Sequence, residues 1–93
     1  MNEPWYLYII ECKTGEFYTG IAQDVKLRVD QHNKGKACRY TKFRSPVRLI
    51  YSEACGDYSS ARKREKQIKD FSRVKKLDLI KDFSPCGLEV QKL

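Results

Sequence analysis

Two short runs rich in aromatic and β-branched residues, Trp5-Tyr6-Leu7-Tyr8-Ile9-Ile10 and Phe17-Tyr18-Thr19-Gly20-Ile21, are separated by the break Lys13-Thr14-Gly15. That pattern predicts a β-hairpin. Its loop length decides where the tyrosines point, because a slip of one residue moves every side chain to the opposite face. A three-residue loop, with Gly15 in the left-handed position of a G1 bulge, pairs Cys12 with Glu16, Ile10 with Tyr18 and Tyr8 with Gly20. Tyr8 and Tyr18 then share one face, and the missing side chain of Gly20 leaves space beside Tyr8. A two-residue loop separates them. We adopt the bulged hairpin, in part because it brings the tyrosines together.

The remaining elements follow from caps and periodicity. Asp24 caps a helix running to about Asn33, where Lys34-Gly35 supplies the stop. On it Val25, Val29 and His32 form one stripe, and Arg28 lies one turn before His32, so both reach the same place. Val47 to Ser52, after Pro46, reads as a third strand. A second helix spans Asp57 to Asp70, and Ser72 opens a third with Val74, Leu77 and Ile80 as its buried stripe. The expected fold is a small three-stranded antiparallel sheet flanked by helices, in the order β-β-α-β-α-α. It forms one domain over residues 1–83, followed by an irregular tail over 84–93.

Charge narrows the partner. Lys and Arg outnumber Asp and Glu by 19 to 12 in 93 residues, a net charge of +7, which favours an anionic ligand and above all nucleic acid. The stretch from Lys34 to Arg44 carries Lys34, Lys36, Arg39, Lys42 and Arg44 with no acid, interleaved with Tyr40 and Phe43. Such a mixture suits phosphate contact and base stacking, and it also describes a solvated loop. A second basic run extends from Arg62 to Lys76. The apolar run Trp5 to Ile10 is too short for a signal peptide or a membrane span, so the expectation is a soluble cytoplasmic protein without membrane contact. Cys12, Cys38, Cys55 and Cys86 are scattered, without the close pairs of a zinc site, and read as reduced thiols.

Glu65 is the sharpest anomaly. Tyr58, Ala61, Glu65 and Ile68 fall at core-facing helical spacing, which places a carboxylate where an apolar residue is expected. A buried carboxylate needs a compensating charge. A salt bridge to a neighbouring Arg or Lys is one answer, and a hard divalent cation sharing the carboxylate with waters and phosphate oxygens is the other. Tyr8 and Tyr18, taken alone, are ordinary strand residues. To act as a base near neutral pH, a tyrosine needs nearby cations such as Arg28, a charged His32 or a metal. His32 is the only histidine, and its place near a helix C-terminus favours the charged form. Arg28 offers a planar fork for two phosphate oxygens.

Taken jointly, these residues resemble the GIY-YIG nuclease superfamily, and in particular its small stand-alone bacterial members. Tyr6-Leu7-Tyr8 stands at the family's Gly-Ile-Tyr element and Tyr18-Thr19-Gly20 at its Tyr-Ile-Gly element, with Arg28, His32 and Glu65 on the remaining site positions. The resemblance covers roughly residues 4 to 83. Tyr6 and Thr19 depart from the pattern at positions that serve backbone and packing, and the late polar residue of some members has no clear counterpart.

The resemblance implies metal-dependent hydrolysis of DNA phosphodiesters, RNA remaining open, with a structure-directed role in repair or recombination. By that analogy the catalytic set is Tyr8, Tyr18, Arg28, His32 and Glu65. Glu65 holds one Mg²⁺ or Mn²⁺, Tyr8 is the general base directly or through His32, Tyr18 orients water or phosphate, and Arg28 neutralises phosphoryl charge. Gly20, Lys34, Lys36, Arg39, Tyr40, Lys42 and Arg44 are the expected nucleic-acid contacts. The alternative function is a nucleic-acid-binding module with little or partner-dependent catalysis. A monomer, a weak dimer and a protein partner all remain compatible with the sequence.

Overall fold

The structure, a computed structural model, describes residues 3–81 and 83. Strands β1 (Trp5–Cys12), β2 (Phe17–Ala22) and β3 (Val47–Gly56) form one antiparallel sheet in the order β2-β1-β3. The helices are α1 (Val25–Asn33), α2 (Arg39–Lys42), α3 (Tyr58–Lys69) and α4 (Arg73–Ile80). The tail expected over 84–93, with Cys86, lies outside the described residues. No helix among the described residues is long and apolar enough to cross a membrane.

The hairpin has the bulged register. Cys12 N–H donates to Glu16 O at 2.8 Å, Gly15 N–H donates to Cys12 O at 2.8 Å, and Gly15 has φ +98°. Tyr8 consequently faces Gly20 and Ile10 faces Tyr18. Helices cover both faces of the central strand, so Leu7, Tyr8, Ile9 and Ile10 are all buried and the middle of β1 is a continuous buried run rather than an alternating one. Tyr8, Ile10, Cys12, Ala22 and Val47 pack with Val25 and Val29 of α1 on one face. Leu7 and Ile9 pack with Ile68, Phe71, Leu79 and Ile80 on the other.

Helix α1 begins and ends as its caps predict. Asp24 Oδ1 accepts from Leu27 N–H at 3.0 Å, and Gly35 follows the last turn with φ +73°. Asn33 then joins this helix end to the start of β3, donating to Val47 O at 3.1 Å and accepting from Val47 N–H at 2.6 Å. Asp57 and Ser72 cap α3 and α4 in the same way as Asp24.

The expected three-stranded sheet and element order hold with one added turn of helix, and three other expectations require correction. β3 runs to Gly56 instead of ending at Ser52, because Glu53 and Ala54 continue to pair with Leu7 and Tyr6 although neither favours strands on its own. A short helix, α2, interrupts the basic segment and makes the order β-β-α-α-β-α-α. Tyr58 is exposed at the edge, meeting Trp5 edge-to-face at 4.9 Å, while Ala61 and Ile68 carry the buried face of α3. Finally, Val74 and Leu77 are 76% and 44% exposed. α4 is rotated so that Leu79 and Ile80 pack against the cluster of Leu7, Ile9 and Ile68, and only Ile80 of the expected stripe reaches the core.

Candidate active site

β1, β2, α1 and α2 bring five polar side chains to one buried place. The hydroxyl of Tyr8, a residue 1% exposed, lies 2.9 Å from Nε2 of His32, and the Arg28 guanidinium is close enough for its charge to act on the phenol. The other ring nitrogen, Nδ1, is 2.7 Å from Thr41 Oγ1. Tyr18 stands with its ring centroid 5.2 Å from that of His32 and stacks on Tyr40 at 5.7 Å. Arg28 reaches Gln31 through one terminal nitrogen at 3.1 Å, while its Nε is buried with no hydrogen-bond partner among the described residues.

Gly20 is the clearance on which this arrangement depends. A Cβ there would stand 2.6 Å from the Tyr8 hydroxyl oxygen and 2.8 Å from the ring carbon bearing it. The Tyr8 ring is buried and tied to His32, so it has nowhere close to go. We predict that Gly20→Ala displaces the Tyr8 hydroxyl from His32 and destabilises the fold by about 1–3 kcal/mol, the usual range for overpacking. Denaturant unfolding checks it, and a variant as stable as wild type would mean that the ring yields freely.

The electrostatics overturn one expectation. Burial, helped by the charge of Arg28, pushes His32 down to about 4, so the imidazole is neutral at pH 7 and the helix-terminus effect is outweighed. A neutral His32 cannot draw the tyrosines towards ionisation. Burial raises Tyr8 despite the opposing Arg28, and raises Tyr18 strongly, so both are phenols at neutral pH. Cys38 moves the other way. Hydrogen bonds from Thr41 and Tyr18 outweigh its burial and lower its thiol.

This neutral, buried histidine carries a pH signature. The unfolded chain protonates its histidine near pH 6.5 and the folded chain only near 4. Between those values the unfolded state binds more protons, so stability falls as the pH is lowered. The expected loss is about 2 kcal/mol by pH 5. Carboxylates held below their ordinary range, such as Glu53, act lower still. Unfolding free energies of wild type and His32→Gln at pH 7 and 5 test this. The variant should lack most of the slope, and an unchanged slope would assign it elsewhere.

Glu65 approaches from α3. Its side chain is 16% exposed and its charge adds to the rise at both Tyr8 and Tyr18, which puts it within electrostatic range of the two hydroxyls. The salt bridge considered from the sequence is present, with Arg62 Nε at 3.4 Å and Lys69 Nζ at 3.2 Å. Both cations are exposed side chains on the same helix, 59% and 53% accessible, and can swing aside. Among the described residues no three His, Cys, Asp or Glu side chains gather as a metal cage. A lone, partly shielded carboxylate with movable partners fits a hard cation that keeps most of its waters and takes phosphate oxygens, the habit of Mg²⁺.

The basic segment divides into engaged and free groups. Arg44 lies 4.2 Å over the Tyr40 ring, donates to Tyr40 O at 2.5 Å and faces Glu16 at 3.8 Å, while Lys34 pairs with Asp30 at 3.0 Å. Lys36, Arg39 and Lys42 are exposed and make no ion pair among the described residues, and Tyr40 is partly exposed beside Tyr18. A groove of about 480 Å³ along α3, lined by Tyr58, Arg62, Lys63, Lys66 and Lys69, opens beside Glu65. Sequence reasoning missed Thr41 and Cys38. Their only local signal is the Cys38-x-x-Thr41 spacing, which lets a threonine hydroxyl bond back to the carbonyl three residues earlier.

A three-stranded sheet that carries paired tyrosines, an arginine and a histidine on one face, with a glutamate from the following helix, defines a known class of catalytic domain. The chain belongs to the GIY-YIG family, a nuclease family, whose catalytic domain matches residues 4–78. It is 51% identical over 77 residues to the UPF0213 protein SSP2268 of Staphylococcus saprophyticus, covering 83% of this chain and 94% of that protein. A UPF0213 protein of Staphylococcus aureus is 49% identical over the same shares of each chain. Among solved structures, the solution NMR structure of the UPF0213 protein BH0048 from Bacillus halodurans aligns with a TM-score of 0.59 and 37% identity, covering 96% of this chain and 95% of the other. The solution NMR structure of EF2693 from E. faecalis aligns with the same score at 30% identity, covering 86% and 85%.

Proposed function

We propose that this protein is a metal-dependent endonuclease that hydrolyses phosphodiester bonds in DNA, with residues 1–83 as its catalytic domain. The observation that carries the reading is the Tyr8 hydroxyl held 2.9 Å from His32 Nε2, with Arg28 and a partly shielded Glu65 in electrostatic range. Inside a nuclease family, that set matches the needs of hydrolysis: a proton acceptor, a fork for phosphoryl oxygens and a carboxylate for a cation.

In this reading the half-buried Arg28, whose buried Nε has no partner among the described residues, takes an oxygen of the scissile phosphate. Tyr8 receives the proton of the attacking water as it passes its own to His32. Tyr18, packed between the His32 and Tyr40 rings, orients the phosphate or the water. One Mg²⁺ or Mn²⁺ at Glu65, when bound, supplies Lewis-acid stabilisation of charge at the phosphate. Lys36, Arg39, Lys42 and the α3 groove track the DNA backbone, so binding should weaken steeply with salt. The cellular setting we propose is cytoplasmic, in repair or recombination.

A second reading, a binding module with slow or partner-dependent catalysis, is favoured by one observation. Arg62 and Lys69 already neutralise Glu65. Incubating wild type with labelled linear, flap, branched and single-stranded DNA and RNA, with Mg²⁺ or Mn²⁺, separates the two. Metal-dependent cutting supports the nuclease and reveals its preferred substrate. Binding across the panel with no cutting favours the module.

A further inference from the structure

Proton accounting around His32 carries the structure one step further, and the step rests on the nuclease reading above. The Tyr8 hydroxyl is buried, and its hydrogen-bond partner among the described residues is His32, while Arg28, whose charge acts on it, can only donate. The phenolic proton therefore needs an acceptor of its own, and His32 Nε2 at 2.9 Å provides one. A neutral imidazole whose Nε2 accepts must carry its proton on Nδ1. Nδ1–H in turn needs an acceptor, which Thr41 Oγ1 provides at 2.7 Å. The single hydroxyl proton of Thr41 is then directed to the carbonyl of Cys38 at 3.5 Å or its sulfur at 3.6 Å. Every donor along this chain has an acceptor. The opposite tautomer, with Nε2–H aimed at Tyr8, would leave the buried phenolic proton without an acceptor among these groups.

We propose that Thr41 is the positioning residue of this site. By accepting from Nδ1 it fixes His32 in the tautomer whose Nε2 is free to take the Tyr8 proton, and it thereby sets the direction in which the proton of the attacking water is relayed away. α2 exists, in this view, to deliver that hydroxyl. Thr41 is fully buried in a segment otherwise made of exposed cations and aromatics, and this four-residue helix packs on α1, where His32 resides. When water attacks phosphorus, a P–O bond forms and one water proton moves to Tyr8. The original Tyr8 proton moves to His32 Nε2, and the P–O bond to the leaving oxygen breaks, that oxygen taking a proton from solvent. Thr41 touches neither water nor phosphate.

The chain has one histidine, so long-range ¹⁵N–¹H correlation of the imidazole reads its tautomer without ambiguity. In wild type at pH 7 the expected result is a protonated Nδ1 and a bare Nε2. Thr41→Val keeps the shape but removes the acceptor. It should shift His32 towards the Nε2–H form and lower single-turnover cleavage by about 10–100-fold, with DNA affinity within twofold. Thr41→Ser restores the hydroxyl and should return both readouts to near wild type, which separates positioning from packing. An Nε2–H tautomer in wild type overturns the proposal, as does a Thr41→Val protein that retains the Nδ1–H form and the full rate. Should wild type cut no DNA, the nuclease reading falls, and the imidazole spectra still decide whether Thr41 holds the tautomer.

Discussion

Glu65→Ala is expected to abolish metal-dependent cleavage while leaving DNA affinity equal to or slightly above that of wild type. Glu65 belongs to no cluster of three or more His, Cys, Asp or Glu side chains among the described residues, so no remaining cage would hold a cation at that position. Losing Lewis-acid assistance worth several kcal/mol corresponds to a rate lower by about 10²–10⁴. Binding should move in the opposite sense. Arg62 and Lys69 are released from Glu65 and become available to phosphate. The cost to the fold is small, since the two pairs lie within one helix and such pairs contribute about 0.2–0.5 kcal/mol each. Single-turnover cleavage, fluorescence anisotropy and a thermal melt measure the three quantities. Retained cleavage would remove Glu65 from the reaction, and binding reduced tenfold or more would make it a substrate contact.

The second large effect is expected from Tyr8→Phe. The ring is part of the core packed with Ile10 and Val47, and phenylalanine preserves that volume. Only the hydroxyl is lost. With it goes the group that links attacking water to His32, and cleavage should fall by about 10²–10⁴, the span associated with a positioned acid or base. His32 would lose a buried partner, so a stability loss of about 1–3 kcal/mol accompanies the change. For a domain of this size that lowers the melting temperature by roughly 4–20 °C. The protein should nevertheless fold and bind DNA, and an active Tyr8→Phe enzyme would assign the base elsewhere.

Much of this arrangement was legible because local chemistry determined it. Gly15 in the left-handed region fixed the loop length, and the loop length fixed which hairpin residues face α1. Asp24, Asp57 and Ser72 marked three helix starts because each carboxylate or hydroxyl accepts from a backbone N–H three residues on. From the helical spacing, Arg28 and His32 were placed on one side, and the structure brings both to Tyr8.

What stayed hidden depends on contacts between distant segments. α2 is a single turn without a side-chain cap, ordered by the burial of Thr41 against His32 nine positions away, and no periodicity marks a pairing of that kind. The charge of His32 could not be read either. A helix C-terminus favours imidazolium and burial opposes it, and only the packed structure shows how deep the ring lies. The rotation of α4 and the length of β3 were lost for the same reason, since each is set by the surface it covers.

The turn at residues 13–15 has a consequence for how such a protein can change over generations. Surface turns ordinarily tolerate insertions. Here one added residue would turn β2 over, carrying Phe17, Thr19 and Ile21 beneath α1 and removing Tyr18 and the Gly20 gap from Tyr8. The altered chain would still bury a comparable apolar surface and could survive as a stable protein without a site. The number of residues in this exposed turn is thus as much an inherited part of the reactive centre as the tyrosines themselves, and a lineage can silence the chemistry there without touching any reacting atom.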